Sequence, residues 1–157
     1  MAGVDAQITE ADARVDEVQA LIGRHLRFAG AATPSEFAFA LDHGGLLEPA
    51  VTLFGLRMDG ELLAIGALKH LDDAHAELKS MHTAQEARGR GLGRLMLEHL
   101  VATARARGYR RVSLETGSTE EFAPARRLYA SSGFVPCAPF AEYRSSDWNT
   151  FMTLDLE

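Results

Sequence analysis

Three glycines interleave with arginines in the run Ala87-Arg88-Gly89-Arg90-Gly91-Leu92-Gly93-Arg94, and an amphipathic helical pattern begins directly behind them. Alternating glycines let successive backbone N–H groups turn toward one point, because no Cβ blocks φ > 0 or the close approach of a ligand. A helix starting there adds its own unpaired N–H groups and the positive end of its dipole. Three guanidinium groups crowd the same turn. Such a run is a cradle for a phosphorylated ligand, and a diphosphate suits it best. The competing reading is a glycine-rich turn with solvated arginines, and the flanking sequence has to decide between them.

The spacing argues against two familiar phosphate loops. No lysine followed by Ser or Thr comes after these glycines, as a P-loop requires, and the run is G-x-G-x-G rather than the dinucleotide fingerprint G-x-G-x-x-G. From Arg88 the pattern is R-x-x-G-x-G, carried by Arg88, Gly91 and Gly93. Before it, residues 76–83 alternate as a strand, with Glu77, Lys79, Met81 and Thr83 on one side and Leu78, Ser80 and His82 on the other. Behind it, Leu92, Leu95, Met96, Leu100, Val101 and Ala104 fall at helical spacing, and Gly108 stops the helix. A strand over 111–116 follows, then a short helix holding Leu128-Tyr129, then Ser132-Gly133-Phe134. In this order of elements, residues 50–157 resemble the core of the GCN5-related N-acetyltransferases (the GNAT family). The R-x-x-G-x-G run resembles that family's acyl-CoA pyrophosphate loop. The stretches 113–117 and 122–126 are similar to a small bacterial subgroup of it.

The resemblance implies an enzyme that moves an acetyl group from acetyl-CoA to an amine of a small molecule or a protein, by direct attack in a ternary complex. A non-catalytic acyl-CoA sensor on the same fold is the alternative. The chemistry demands a base, since an alkylammonium with pKa near ~10.4 costs roughly 4–5 kcal/mol to deprotonate at neutral pH. Glu77 is the first candidate: it stands eleven residues before Arg88, the offset of the catalytic glutamate in histone-acetylating members. Pairing with Lys79 is the structural reading of the same residue. Glu115 on the next strand is the rival base. Family likeness makes Met81, His82 and Thr83 backbone binders of the pantetheine arm, with the N–H of Met81 or His82 as oxyanion donor. His82 stands between a water-holding base and a structural histidine. The family likeness gives Arg88, Gly89, Arg90, Gly91, Leu92, Gly93 and Arg94 to the diphosphate. Tyr129 matches the tyrosine that protonates the leaving thiolate, against the alternative of packing on Phe134. One position departs: many members carry asparagine seven residues before that tyrosine, where this chain has Phe122, which would cover the pantetheine by apolar packing.

At 157 residues the chain suits one compact domain over 1–157. A net charge of −6 argues against a nucleic-acid surface. Basic charge gathers instead at 88–94 and at Arg105, Arg107, Arg110 and Arg111. The single cysteine, Cys137, sits in a strand-like stretch as a packed thiol. The six histidines show no metal-binding spacing, so no metal is expected. No leader and no long apolar run is evident, which predicts a cytoplasmic protein without membrane contact. A homodimer stays open.

The expected architecture is an α/β domain of the GNAT type. Its sheet is mixed and mostly antiparallel, with about six or seven strands and about four flanking helices. A strand around 5–8 leads to a helix capped by Thr9 and Asp12, with Val15, Val18, Leu21, Ile22 and Leu26 as its buried stripe. Thr33-Pro34-Ser35-Glu36 opens a second helix to about residue 41. Strands 51–58 and 61–69 join through Asp59-Gly60, and 150–156 closes the sheet. Phe37, Phe39, His43, Phe140, Tyr143 and Trp148 are available to shape the acceptor end.

Overall fold

A computed structural model describes residues 6–33 and 44–156. Seven strands form one sheet: β1 (Gln7–Glu10), β2 (Val51–Met58), β3 (Glu61–Asp72), β4 (His75–Thr83), β5 (Arg111–Gly117), β6 (Val135–Pro136) and β7 (Asn149–Asp155). Their order is β1-β2-β3-β4-β5-β7-β6, and every neighbouring pair is antiparallel except β4 with β5. Three helices flank it among the described residues: α1 (Asp16–Ala32), α2 (Leu92–Ala106) and α3 (Ala123–Ser131).

Local signals set several of these boundaries. Asp59 and Gly60 both take positive φ, 52° and 78°, the turn whose twist matches a two-residue hairpin. Helix α2 ends where Gly108, at φ 88°, lets its N–H reach Arg105 O and Tyr109 N–H reach Ala104 O. Gly66 of β3 has no Cβ to hold α2 away: a methyl group there would lie 2.8 Å from Met96 Cγ. Leu92, Met96, Leu97, Leu100, Val101 and Ala104 consequently form the buried face of α2.

Four expectations need correction. Thr9 belongs to β1, opposite Gly55, so it cannot cap a helix. Asp12 instead accepts the Arg14 N–H at 2.9 Å, and α1 begins after an uncapped Val15 that is 45% exposed. In α2, Leu95 lies outside and Leu97 takes the buried position. The strand near Cys137 is only two residues long, since Pro136 has no N–H with which to extend an edge. The expected helix from Thr33 to about residue 41, with Phe37, Phe39 and His43, lies outside the described residues apart from Thr33 itself. No helix among the described residues is long and apolar enough to cross a membrane.

The fourth correction concerns β4. Alternation holds through Lys79, which pairs with Ala67, but His82 pairs with Ile65. Ser80 and Met81 thus stand opposite the single residue Gly66, and Ser80 takes φ 56° to make the bulge. An inserted residue reverses the parity of everything after it. His82 therefore joins Glu77 and Lys79 on the face covered by α1, while Thr83 joins Leu78 on the face covered by α2. The α1 side is confirmed by His25 Nδ1, 3.3 Å from His82 Nδ1, and the α2 side by Gly66 under Met96.

Candidate active site

Strands β4 and β5 pair from His75/Arg111 only as far as Leu78/Leu114. Beyond that point β4 keeps β3 and β5 keeps β7, so the two strands part. A cleft of about 540 Å³ opens where they separate. Residues 78–83 line one wall and Glu115, Thr116 and Gly117 the other, with α1 and the N-terminal ends of α2 and α3 around the rim.

At one end of the cleft, Gly89 and Gly91 take φ of 83° and 77°, and neither has an atom within 4 Å of where a Cβ would stand. Their use is therefore conformational: they turn the backbone between the 3-10 turn Gln85–Ala87 and α2. Gly91 is the N-cap of α2 and supplies no side chain to its first-turn N–H groups. Gly93 serves differently, since a Cβ there would come 3.3 Å from Leu128 of α3. Arg88 Nε donates to Thr83 O at 3.3 Å, and Arg94 donates to Ser131 Oγ at 2.9 Å, which holds both guanidinium groups at the rim. Arg88, Gly89, Gly91, Leu92, Gly93 and Arg94 line the cleft; Arg90 is exposed and does not.

The two candidate carboxylates occupy different environments. Glu77 is 2% exposed and is not part of the cleft wall. Its Oε2 accepts from Tyr143 Oη at 2.5 Å and from Lys79 Nζ at 3.2 Å, and Lys79 also donates to the Tyr143 oxygen at 2.6 Å. Pairing with Lys79 is thus present, but buried rather than on an exposed strand face. Glu115 does line the cleft, on the same sheet face as Glu77 because Ser113 is the register partner of Glu77. Burial raises its pKa, opposed by a hydrogen bond from Asn149 Nδ2 and by the Lys79 charge.

Tyr129 comes from the opposite face. Helix α3 ends with Gly133 at φ 97°, Gly133 N–H reaching Ala130 O and Phe134 N–H reaching Tyr129 O. That cap seats the Phe134 ring against Tyr129, with centroids 5.9 Å apart. The phenol cannot swing away, and its hydroxyl points at Met81 Sδ, 3.8 Å distant. Tyr129 thus packs on Phe134 and also lines the cleft. Burial and the Glu115 charge push its pKa up to about 12, so it stays protonated.

Phe122 lies over Gly117, where a Cβ would collide with the ring at 2.1 Å. It meets Phe28 of α1 edge-on at 5.2 Å, and Arg88 stands 5.9 Å from the Phe28 ring centre. His25 and His82 complete this side, both held down to about 4 chiefly by burial. Met81, His82 and Thr83 all line the cleft. Phe28, His25, Lys79 and Asn149 were not among the site candidates from sequence. Phe28 and His25 stand three apart on one helical face, a signal that α1's apolar stripe obscured. Nothing in the sequence tied Asn149 to Glu115. Among the described residues no three His, Cys, Asp or Glu side chains group as a metal site.

The profile of the Acetyltransferase (GNAT) family matches residues 19–134. The Bacillus subtilis (strain 168) protein named uncharacterized N-acetyltransferase YsnE is 41% identical over 140 residues, covering 89% of this chain and 93% of its own. A crystal structure from Klebsiella pneumoniae superposes with a TM-score of 0.80 at 27% identity, over 97% of this chain and 98% of that one. A GNAT family acetyltransferase from Elizabethkingia anophelis, solved with acetyl-CoA bound, shares the fold at TM-score 0.70 and 16% identity, over 96% and 97% of the two chains.

Proposed function

Because the chain belongs to the Acetyltransferase (GNAT) family, we propose that it transfers an acetyl group from acetyl-CoA to a primary amine in the cleft between β4 and β5, by direct attack in a ternary complex. The observation that carries this reading is the parting of the strands after Leu78/Leu114, with R-x-x-G-x-G at one end of the gap and Glu115 in its wall. The residues present fit acetyl-CoA. Two positive-φ glycines and the unpaired first turn of α2 suit a diphosphate, with Arg88 and Arg94 beside them.

Glu115 and Tyr129 approach the gap from opposite faces of the sheet, and their roles divide accordingly. Glu115 takes the proton from the acceptor ammonium, directly or through one water; its raised pKa brings it closer to that of the group it deprotonates. The freed amine forms the C–N bond at the thioester carbon, the C–S bond breaks, and the second proton shed by the nitrogen restores the Tyr129 hydroxyl after it has protonated the sulfur. Past the Ser80 bulge the N–H of Met81 or His82 donates to the carbonyl oxygen as its charge grows. Tyr129, kept protonated, donates to the departing sulfur as it now does to the Met81 thioether. Glu77 acts from below the wall, holding Lys79 and Tyr143 in place rather than meeting the amine.

Release of free CoA thiol from acetyl-CoA with a panel of primary amines tests this. Amine-dependent release in the native protein, reduced about 10²–10⁴-fold in Glu115→Gln, is the expected result. Acetyl-CoA binding without amine-dependent release across the panel would make the protein an acyl-CoA sensor instead.

A further inference from the structure

We propose that Asn149 is a positioning residue that keeps the Glu115 carboxylate ionised and oriented, as the donor end of a one-way hydrogen-bond chain rising from the turn before β7. This inference rests on the reading of Glu115 as the base.

Register brings the two residues together. Glu115 of β5 pairs with Phe151 of β7, and Gly117 pairs with Asn149, so Asn149 is the diagonal neighbour of Glu115 on the same face. The absent side chain at Gly117 leaves that space to the Phe122 ring, which packs beside the pair. Asn149 is 8% exposed and its Nδ2 donates to Glu115 Oε2. An amide can turn over, and with its oxygen toward a carboxylate it would repel rather than donate. The chain favours the donating orientation. Trp148 N–H donates to Ser146 Oγ at 3.1 Å, and Ser146 then spends its own proton on Asn149 Oδ1. With Oδ1 engaged as an acceptor, only Nδ2 is left to face Glu115. The Trp148 N–H, Ser146 and the Asn149 amide are neutral groups, so these bonds orient the carboxylate by hydrogen bonding rather than by a counter-charge of their own.

Other groups facing Glu115 set what Asn149 must offset. Lys79 and Glu77 approach from β4, one favouring and one opposing ionisation. Tyr129 from α3 and Tyr143 from the 137–148 segment are neutral phenols whose own ionisation the Glu115 charge opposes. Glu121 lines the same cleft from the turn before α3. Burial is the largest influence on Glu115 and acts against its charge, and the Asn149 hydrogen bond is the largest that favours it.

The test is a ¹³C NMR titration of the Glu115 side-chain carboxyl in the full-length protein, which needs no acceptor. In Asn149→Ala the midpoint should rise by about one pH unit, a tenfold loss of ionised base on the acid limb, and in Asn149→Asp it should rise further. Ser146→Ala should raise it by a smaller amount. An asparagine that only braces the start of β7 would lower the melting temperature and leave the midpoint where it was. Unchanged midpoints in folded Asn149→Ala and Asn149→Asp would overturn the proposal. If both fail to fold, Ser146→Ala decides: a rise supports it and no shift rejects it. Full amine-dependent turnover in Glu115→Gln would instead remove the base assignment, whatever the titrations gave.

Discussion

The Tyr143 hydroxyl donates to Glu77 at 2.5 Å across 66 positions of sequence, and Lys79 Nζ donates to both partners from within the same pocket. Glu77 and Lys79 have side chains only 3% and 8% exposed. A carboxylate so engaged has little reach left toward an acceptor, and this favours Glu115 in the proposed base role. The trio also ties the 137–148 segment to β4, the strand that forms one wall of the cleft.

Removing one member should therefore cost stability before it costs chemistry. Glu77→Gln leaves the Lys79 ammonium buried without its counter-ion and should destabilise the fold by about 3–5 kcal/mol. Tyr143→Phe removes a single donor and should cost about 1–3 kcal/mol. Urea unfolding measures both. A Glu77→Gln protein as stable as the native one, but inactive, would return the base role to Glu77.

Tyr129 owes its direction to the cap at Gly133. If Tyr129 donates to the leaving group as proposed, Tyr129→Phe should lower kcat about 10–100-fold while leaving acetyl-CoA affinity within about twofold. Gly133→Ala forces a side chain into φ 97° and toward Leu154, so it should destabilise by about 1–2 kcal/mol and also lower kcat as the ring loses its seat. Steady-state kinetics on the two variants separates these effects. Full activity of Tyr129→Phe would leave the phenol a packing residue.

The His25–His82 pair makes stability depend on pH. Both rings are held neutral to about pH 4 in the folded protein, against about 6.5 when unfolded. Between those values the unfolded chain binds more protons, so stability is full above about 6.5 and falls as pH drops toward 4. Allowing for water reaching the His82 ring, the loss should be about 1–3 kcal/mol. Denaturant titrations at pH 7 and pH 4.5 should differ by less in His25→Gln/His82→Gln than in the native protein. An equal difference in both proteins would show that the pair contributes nothing to acid sensitivity.

How much of this was legible in the sequence depends on the range of the interaction. Asp59-Gly60, Gly108 and the glycines of the 88–94 run could be read because a positive φ or a tight turn is written in one or two adjacent residues. Leu128-Tyr129 with Gly133-Phe134 was legible for the same reason, since a helix cap spans six positions. The parity of β4 was not, because Ser80 carries no sign of a bulge and the residue opposite it, Gly66, lies fourteen residues earlier and under α2. Glu77 was named from its offset to Arg88, and its bond to Tyr143 was not legible because the two lie 66 positions apart. Asn149 was invisible for the same reason: only the β5–β7 register brings it to Glu115.

Binding of acetyl-CoA to the 88–94 loop is the step on which every assigned role depends, and calorimetry on the native protein and Gly91→Asp measures it most directly. Aspartate at φ 77° strains the turn and sets a negative charge at the N-terminus of α2, where the diphosphate would lie. Micromolar-range heat of binding in the native protein, weakened at least about 100-fold in a folded Gly91→Asp, is the predicted result. Equal affinity in the two proteins, or no binding by the native one at millimolar acetyl-CoA, would contradict it.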